Sequence, residues 1–260
     1  MLSKSNIVNS LIATSVSISI GITLNNSAQA SNISLENSGF EAPEQTNSPI
    51  PGAGFFDFET PPGWELYDPN NLIPNDASLA TSFTGGWKPS AAFFPSIPEG
   101  DQIGSIFLVP PGAGEVGFAQ NSVTTIEPNT TYTLSAAVLD TPSLPGAEIF
   151  AGFPGYKLEL LAGNEVIAVD NNTIMIGEGD FKTATVSYSS SKNDIYLGEA
   201  LSLRLINLNL NNSSGFDGGN GVEVNFDNVQ LSATSVPESQ SVIGYLLLGI
   251  SLILMRKKSF

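Results

Sequence analysis

The sequence contains neither cysteine nor histidine in its 260 residues. Their absence excludes disulfides, thiol nucleophiles and the usual zinc sites. It also removes the side chain most often used for proton transfer near neutral pH. An exported chain without disulfides has to fold around an ordinary hydrophobic core, and a segment of about 200 residues is long enough to form one as a single domain.

Basic residues are also scarce, since 9 lysines and arginines stand against 25 acidic residues. Residues 31–232 hold five of the basic and twenty-four of the acidic residues, a net charge of −19. A surface this acidic repels nucleic acid and anionic lipid, and it can attract divalent cations. We therefore expect no nucleic-acid partner.

Helical periodicity is missing from residues 31–232, where apolar residues alternate or run in short blocks bounded by Gly, Pro, Asn and Asp. The pattern predicts an all-β, two-sheet β-sandwich (jelly roll) that forms one domain over residues 31–232. Ten strands are predicted, at Trp64–Tyr67, Ala77–Phe83, Gln102–Val109, Gly117–Val123, Thr131–Asp140, Tyr156–Leu161, Glu165–Asp170, Phe181–Tyr188, Ala200–Asn209 and Val222–Ser232.

Two segments, residues 42–62 and 142–154, are rich in proline and glycine and follow no strand pattern. On a sandwich such segments form long connections at the ends of the sheets, where ligand contacts tend to be carried.

Residues 1–30 have the features of a secretory signal peptide. Lys4 precedes an apolar stretch, Ile7–Leu24, and Ala28-Gln29-Ala30 then gives the small-x-small pattern that signal peptidase cleaves. The pattern predicts an N-terminal signal helix, export from the cell and a mature chain that begins at Ser31.

Residues 233–260 form a three-part tail. Val236, Pro237 and Glu238 are followed by an uncharged run from Val242 to Met255 and then by the basic residues Arg256, Lys257 and Lys258. An apolar run of this kind predicts a short C-terminal transmembrane helix with its basic end on the cytoplasmic side.

This tail resembles the PEP-CTERM sorting signal, although Ser239 stands where the second proline of that motif would be. The resemblance implies processing by an exosortase-type enzyme and a location at the cell surface or in the extracellular matrix. The alternative is a plain C-terminal membrane anchor.

Four motifs in residues 31–232 resemble those of galactose-binding-like, carbohydrate-binding-module jelly rolls: Ser38-Gly39-Phe40-Glu41, Pro62-Gly63-Trp64, Asn129–Leu134 and Phe226–Leu231. The resemblance implies a structural Ca²⁺ held between the first and last strands by Glu41 and Asp227 together with backbone carbonyls. Calcium prefers oxygen ligands of this kind. The alternative is that the two carboxylates cap turns or are solvated.

Sugar binding would need aromatic rings that lie against the faces of pyranose rings. The candidates for ligand binding are Trp87, Trp64 and Tyr67. The resemblance places Trp64 in the core, whereas Trp87, flanked by glycines and a lysine, is predicted to be exposed.

A catalytic function would have to depend on carboxylates. Asp57, Glu59, Glu65 and Asp68 are close in sequence, but neither a nucleophile elbow nor a phosphate-binding loop accompanies them. The sequence therefore predicts a secreted, non-catalytic protein that is adhesive, carbohydrate-binding or structural within an exopolysaccharide layer. The alternatives are a surface protein without a specific glycan ligand and a weak carboxylate-dependent glycosidase.

Overall fold

The computed structural model describes residues 30–78, 80–146, 148–210 and 222–236. These residues form twelve β-strands and one turn of 3₁₀-helix, Glu148–Phe150. None of the described helical structure is long and apolar enough to cross a membrane. The predicted signal helix up to residue 29 and the tail from residue 237 onward lie outside the described residues.

The first sheet contains seven strands in the order β10-β7-β12-β5-β4-β2, with β1 also paired to β12. Every neighbouring pair is antiparallel. The strands are β1 (Ala30–Ile33), β2 (Gly54–Phe56), β4 (Phe83–Pro89), β5 (Ile103–Phe107), β7 (Thr130–Asp140), β10 (Phe181–Ser189) and β12 (Glu223–Ser235).

The second sheet contains five antiparallel strands in the order β3-β6-β11-β8-β9. They are β3 (Glu65–Tyr67), β6 (Val116–Thr125), β8 (Tyr156–Ala162), β9 (Glu165–Asn171) and β11 (Ala200–Asn207). The predicted all-β, two-sheet sandwich is confirmed.

The main hydrophobic core lies between the sheets and is built from alternate residues of each strand. In β7 the inward residues are Tyr132, Leu134, Ala136 and Val138, all buried, as the alternation predicted. Burial of each large apolar side chain stabilises the fold by roughly 1.5–3 kcal/mol.

The outer face of the first sheet is also covered by other parts of the chain. The functional site lies on this face. Two further apolar clusters lie there, one around Trp87 and Ile103 and one around Phe83 and Phe107. The 42–62 segment reaches this face through β2, which pairs with β4. We use the name covering loops for residues 42–62 and 142–154.

Nine of the ten predicted strands coincide with observed strands, and the prediction at Ala77–Phe83 is wrong. The observed strand, β4, begins at Phe83. Because both of its faces are covered, β4 shows no alternation, and Gly85-Gly86 at its centre has the appearance of a turn. The three-residue β2 and the four-residue β1 were not predicted.

Candidate active site

A cavity of about 440 Å³ opens on the outer face of the first sheet. Its floor is formed by strand residues and its walls by both covering loops. Volumes of this size are typical of small-molecule sites. The floor includes Phe83, Gly85, Trp87, Ser105, Phe107 and Glu223, and the walls include Ile50, Phe56, Leu144, Ile149 and Phe150.

Aromatic rings make the cavity largely apolar. Phe83 and Phe107 stack with their centroids 5.0 Å apart. Phe150, from the second covering loop, meets Phe107 and Phe93 at 6.1 Å each. Ring faces of this kind attract positive charge, since the π-system is negative on its face.

Glu223 is the carboxyl group on the floor of this cavity. It is the first residue of β12, opposite Phe107, and the inward Val224 next to it fixes its side chain on the outer face of the sheet. The residue is only 6% exposed. Burial raises the pKa of its carboxyl to about 7, although hydrogen bonds from Thr141 and Asn225 oppose the shift.

A buried chain of polar side chains leads to Glu223. The Ser105 hydroxyl donates to Asn225 Oδ1 at 2.6 Å, and Asn225 Nδ2 donates to Thr141 Oγ1 at 2.7 Å. The Thr141 hydroxyl then donates to Glu223 Oε1 at 2.6 Å. The chain holds one carboxyl oxygen firmly and so fixes the orientation of the group.

Of the three predicted ligand residues, the structure places only Trp87 at the cavity. It is not exposed as predicted, because its indole N–H donates to Ala53 O at 2.9 Å and Phe93 packs edge-on against it. Trp64 lies in the main core, stacked on Phe40 at 5.0 Å, as the resemblance implied.

Tyr67 lies on the outer face of the second sheet, away from the cavity. Its hydroxyl donates to Glu115 Oε1 at 3.0 Å, and the Arg204 guanidinium lies 4.2 Å above its ring. These contacts build an ion-paired surface rather than a ring platform for a ligand of the cavity.

Glu41 and Asp227 both contact the segment 99–102. Glu41 Oε1 accepts hydrogen bonds from the backbone N–H groups of Asp101 and Gln102, at 2.9 and 3.0 Å. Asp227 Oδ2 accepts from the backbone N–H of Glu99 at 2.8 Å. Burial, with smaller contributions from the charges of Glu99 and Glu41, raises the pKa of Asp227 to about 7.

Among the described residues, no group of three or more acidic side chains is arranged to hold a metal ion. A site at Glu41 and Asp227 would need backbone carbonyls to complete it, as calcium sites commonly do.

Of the four crowded carboxylates, only Asp57 lines the cavity. Asp57 Oδ1 accepts from the backbone N–H of Gly86 at 3.1 Å and so anchors the first covering loop. Asp68 accepts from Leu72 and Ile73, and Glu65 pairs with Asn121 on the second sheet. Asp57 and Glu59 line a second pocket together, whereas Glu65 and Asp68 make their contacts elsewhere.

Sequence reasoning missed Glu223. One signal was present, since Glu223, Asn225 and Asp227 alternate with Val224 and Phe226 in a strand at the centre of the first sheet. Three polar side chains on one face of a central strand indicate a buried polar site when that face is covered. The covering loops bury that face, but their sequences show no periodic pattern from which this could be predicted.

Comparison with known proteins indicates that the chain is an enzyme. A family model described as "HpiC1-like: HpiC1 cyclase" matches residues 31–232. No curated protein is significantly similar to the chain.

Two solved structures with small indole compounds are similar to most of the chain. One is the Stig cyclase Fisc from Fischerella sp. TAU in complex with (3Z)-3-(1-methyl-2-pyrrolidinylidene)-3H-indole, at 36% identity and a TM-score of 0.70 over 80% of this chain and 100% of that chain. The other is a cyclase from Fischerella sp. TAU in complex with 4-(1H-indol-3-yl)butan-2-one, at 36% identity and a TM-score of 0.69 over 80% and 99%.

The protein is a β-sandwich with a carboxyl on the floor of an aromatic cavity, and its relatives are cyclases. These features define its class as that of the small-molecule cyclases. The chain belongs to the HpiC1-like cyclase family. The prediction of a non-catalytic, carbohydrate-binding or adhesive matrix protein is therefore wrong, as are both of its alternatives. The carboxyl on the floor of the cavity, Glu223, is a single buried residue outside the crowded carboxylates that the sequence brought to notice.

Proposed function

We propose that the protein is a cyclase that binds an indole-bearing substrate in the cavity and starts ring closure by donating a proton from Glu223. The observation that carries this proposal is a buried carboxyl, with a pKa of about 7, on the floor of an aromatic cavity. A general acid works best when its pKa lies near the working pH. The indole compounds bound by two relatives support the choice of substrate class.

The hydrogen-bond chain determines which oxygen of Glu223 acts. Oε1 accepts a hydrogen bond from the Thr141 hydroxyl. We therefore assign the carboxyl proton to Oε2. The chain acts through Glu223, so Thr141, Asn225 and Ser105 are positioning residues.

The reaction balances without a co-reactant. Glu223 protonates the substrate, and a carbon–carbon double bond of the substrate attacks the resulting cation to form the new ring bond. The carboxylate of Glu223 then takes back one proton from the ring-closed cation, so the product is an isomer of the substrate. The faces of Phe107 and Phe83 stabilise the positive charge in the interval.

The electrostatics of the cavity favour a neutral or cationic ligand. Among the described residues that line it, the charged side chains are the carboxyls of Asp57 and Glu223, and neither Lys nor Arg contributes. An anionic substrate would meet no compensating cation there.

A conversion assay tests the proposal. Purified protein is incubated with a panel of indoles that carry an alkenyl chain. The products are separated by liquid chromatography, and their masses are measured by mass spectrometry. We expect a ring-closed isomer with the wild type and none with Glu223→Gln, while both bind 4-(1H-indol-3-yl)butan-2-one by calorimetry. Equal conversion by Glu223→Gln and the wild type would exclude the assigned acid.

We also propose that Ca²⁺ binds at Glu41 and Asp227. Asp227 is fully buried, and the nearby carboxylates Glu41 and Glu99 disfavour its ionised form. A divalent cation would relieve this repulsion. Its role would be to hold the 99–102 segment against β12, away from the proton-transfer step.

Export remains a proposal of its own. The family match begins at Ser31, the residue that follows the predicted signal-peptidase site. N-terminal sequencing of the mature protein tests it, since an intact N-terminus would contradict removal of a signal peptide. Apart from Val236, the PEP-CTERM-like motif lies outside the described residues. Exosortase processing, membrane attachment and cell-surface location stay predictions, and the mass of the mature protein tests the processing.

A further inference from the structure

Glu178 holds both ends of the second covering loop, although it does not line the cavity. It lies in the connection between β9 and β10. Its Oε2 accepts the backbone N–H of Ser143 at 3.1 Å and the Ser143 hydroxyl at 2.6 Å. Its Oε1 accepts the backbone N–H of Gly152 at 3.1 Å. One carboxylate thus joins residues nine positions apart.

The segment between these two anchors supplies one wall of the cavity. Leu144, Ile149 and Phe150 all line it. Phe150 makes ring contacts with Phe107 and Phe93, whereas Ile149 is 49% exposed at the mouth. The 3₁₀ turn within the segment has no buried residue, so its own packing holds it weakly.

The loop satisfies the charge of Glu178. The hydrogen bonds from Ser143 and Gly152 lower the pKa of this carboxyl against the opposing effect of partial burial. Glu178 is therefore ionised at neutral pH, and each of the three bonds is charge-assisted.

We propose that Glu178 is a positioning residue that keeps the wall of the cavity closed and so excludes water from the reacting cation. The inference rests on the proposed cyclase function. A cation in a closed cavity forms the ring and loses a proton, which gives an isomer of the substrate. A cation that meets water forms a carbon–oxygen bond and then loses a proton, which gives an alcohol heavier by one water.

The primary experiment compares Glu178→Gln with the wild type on an indole substrate that the wild type converts. Glutamine has one acceptor oxygen and so can retain only one of the two anchors. We expect the ratio of hydrated to isomeric product to rise about tenfold, and KM to rise with it, because a charge-assisted anchor has been lost. Ser143→Ala, which removes one of three bonds, should give an intermediate ratio.

Asp180→Asn is the matched control. Asp180 is an exposed carboxylate in the same connection, two residues along the chain. This change also removes one negative charge, and it should leave the product ratio and KM unchanged. A purely structural role for Glu178 would lower the melting temperature without changing the product ratio of the folded enzyme, and that result would overturn the proposal.

A second measurement separates this inference from the proposed function. Hydrogen exchange followed by mass spectrometry reports on residues 142–154 directly, and calorimetry gives the Kd of 4-(1H-indol-3-yl)butan-2-one. If no substrate is cyclised, the proposed function fails. Glu178→Gln should still speed exchange across the loop and weaken binding about tenfold. Unchanged exchange and unchanged Kd would overturn the role of Glu178, whatever the activity.

Discussion

The raised pKa of Glu223 follows from the position of the residue on β12. The strand carries polar residues on its outer face, and the covering loops turn that face into an interior. Desolvation then disfavours the carboxylate, and the hydrogen bonds from Thr141 and Asn225 offset this only in part. The same arrangement makes the residue a proton donor near neutral pH and a cost to stability above it.

The stability of the protein should depend on pH through Glu223. Its pKa is higher in the folded than in the unfolded chain, so its contribution is present below about pH 4.5 and lost as pH rises through about 7. Glu223→Gln should therefore unfold at a higher temperature than the wild type at pH 8, with a gain of up to about 3 kcal/mol. At pH 4.5 the two proteins should unfold alike.

Melts of both proteins across this pH range measure the difference. Asp227 titrates in the same range but is present in both, so its effect cancels. Parallel curves from pH 4.5 to 8 would contradict the raised pKa of Glu223.

Thr141→Val tests the hydrogen-bond chain at the same scale. Loss of the hydroxyl removes a bond that favours the carboxylate, so the pKa of Glu223 should rise and the alkaline limb of the kcat profile should move to higher pH. The maximal kcat of the pH profile should fall about tenfold, because the carboxyl loses its fixed orientation. Thr133→Val is the control, because this half-buried threonine of β7 bonds Ser187 and not the chain that leads to Glu223. An unmoved alkaline limb would rule out this role for Thr141.

Single residues proved the hardest part to predict. Trp64 could be assigned to the core because the resemblance to carbohydrate-binding jelly rolls carried its position. Trp87 could not, since its burial depends on Ala53 and Phe93, which belong to segments without periodicity. The alternation of polar residues in β12 was the one signal for Glu223, and only the register of the strand, which places the residue opposite Phe107, locates it at the cavity.

At the scale of elements, the covering loops and β4 together determine the shape of the cavity. Gly85 lies where the first loop crosses the sheet, and a Cβ there would lie 2.4 Å from the backbone oxygen of Asp57. The glycine is needed for this close approach. Most strands followed from alternation, whereas β4 did not, because it is covered on both faces.

Gly85→Ala should push the first covering loop away from the sheet. We expect a loss of about 1–3 kcal/mol in the free energy of unfolding, as for other overpacked sites. Hydrogen exchange should become faster in residues 42–62, and denaturant melts give the energy. Thr185→Ala, on the exposed face of β10, serves as the control. If hydrogen exchange in residues 42–62 of Gly85→Ala is as slow as in the wild type, the close approach of Asp57 to Gly85 is contradicted.

At the scale of the whole molecule, the ends of the described chain meet on the first sheet. β1 pairs with β12, and Glu41 and Asp227 both contact the segment 99–102. The two-sheet architecture could be predicted because alternating strands have few stable arrangements. The catalytic face could not, because either outer face of a sandwich can be covered.

Calcium should stabilise the molecule if it binds at Glu41 and Asp227. Addition of Ca²⁺ should raise the melting temperature, and EDTA should lower it again. Glu41→Gln should reduce that response, while the exposed Asp180→Asn should keep it. A melting temperature that is the same in Ca²⁺ and EDTA would refute a calcium site.

The central claim, that Glu223 begins ring closure by giving a proton to the substrate, is tested most directly by running the reaction in D₂O. The Glu223 carboxyl then carries deuterium. The product isomer should contain one deuterium at the carbon that Glu223 protonates, as read by mass spectrometry and NMR. Glu223→Gln should give neither product nor label. A ring-closed product without deuterium, formed at the wild-type rate, would contradict the account.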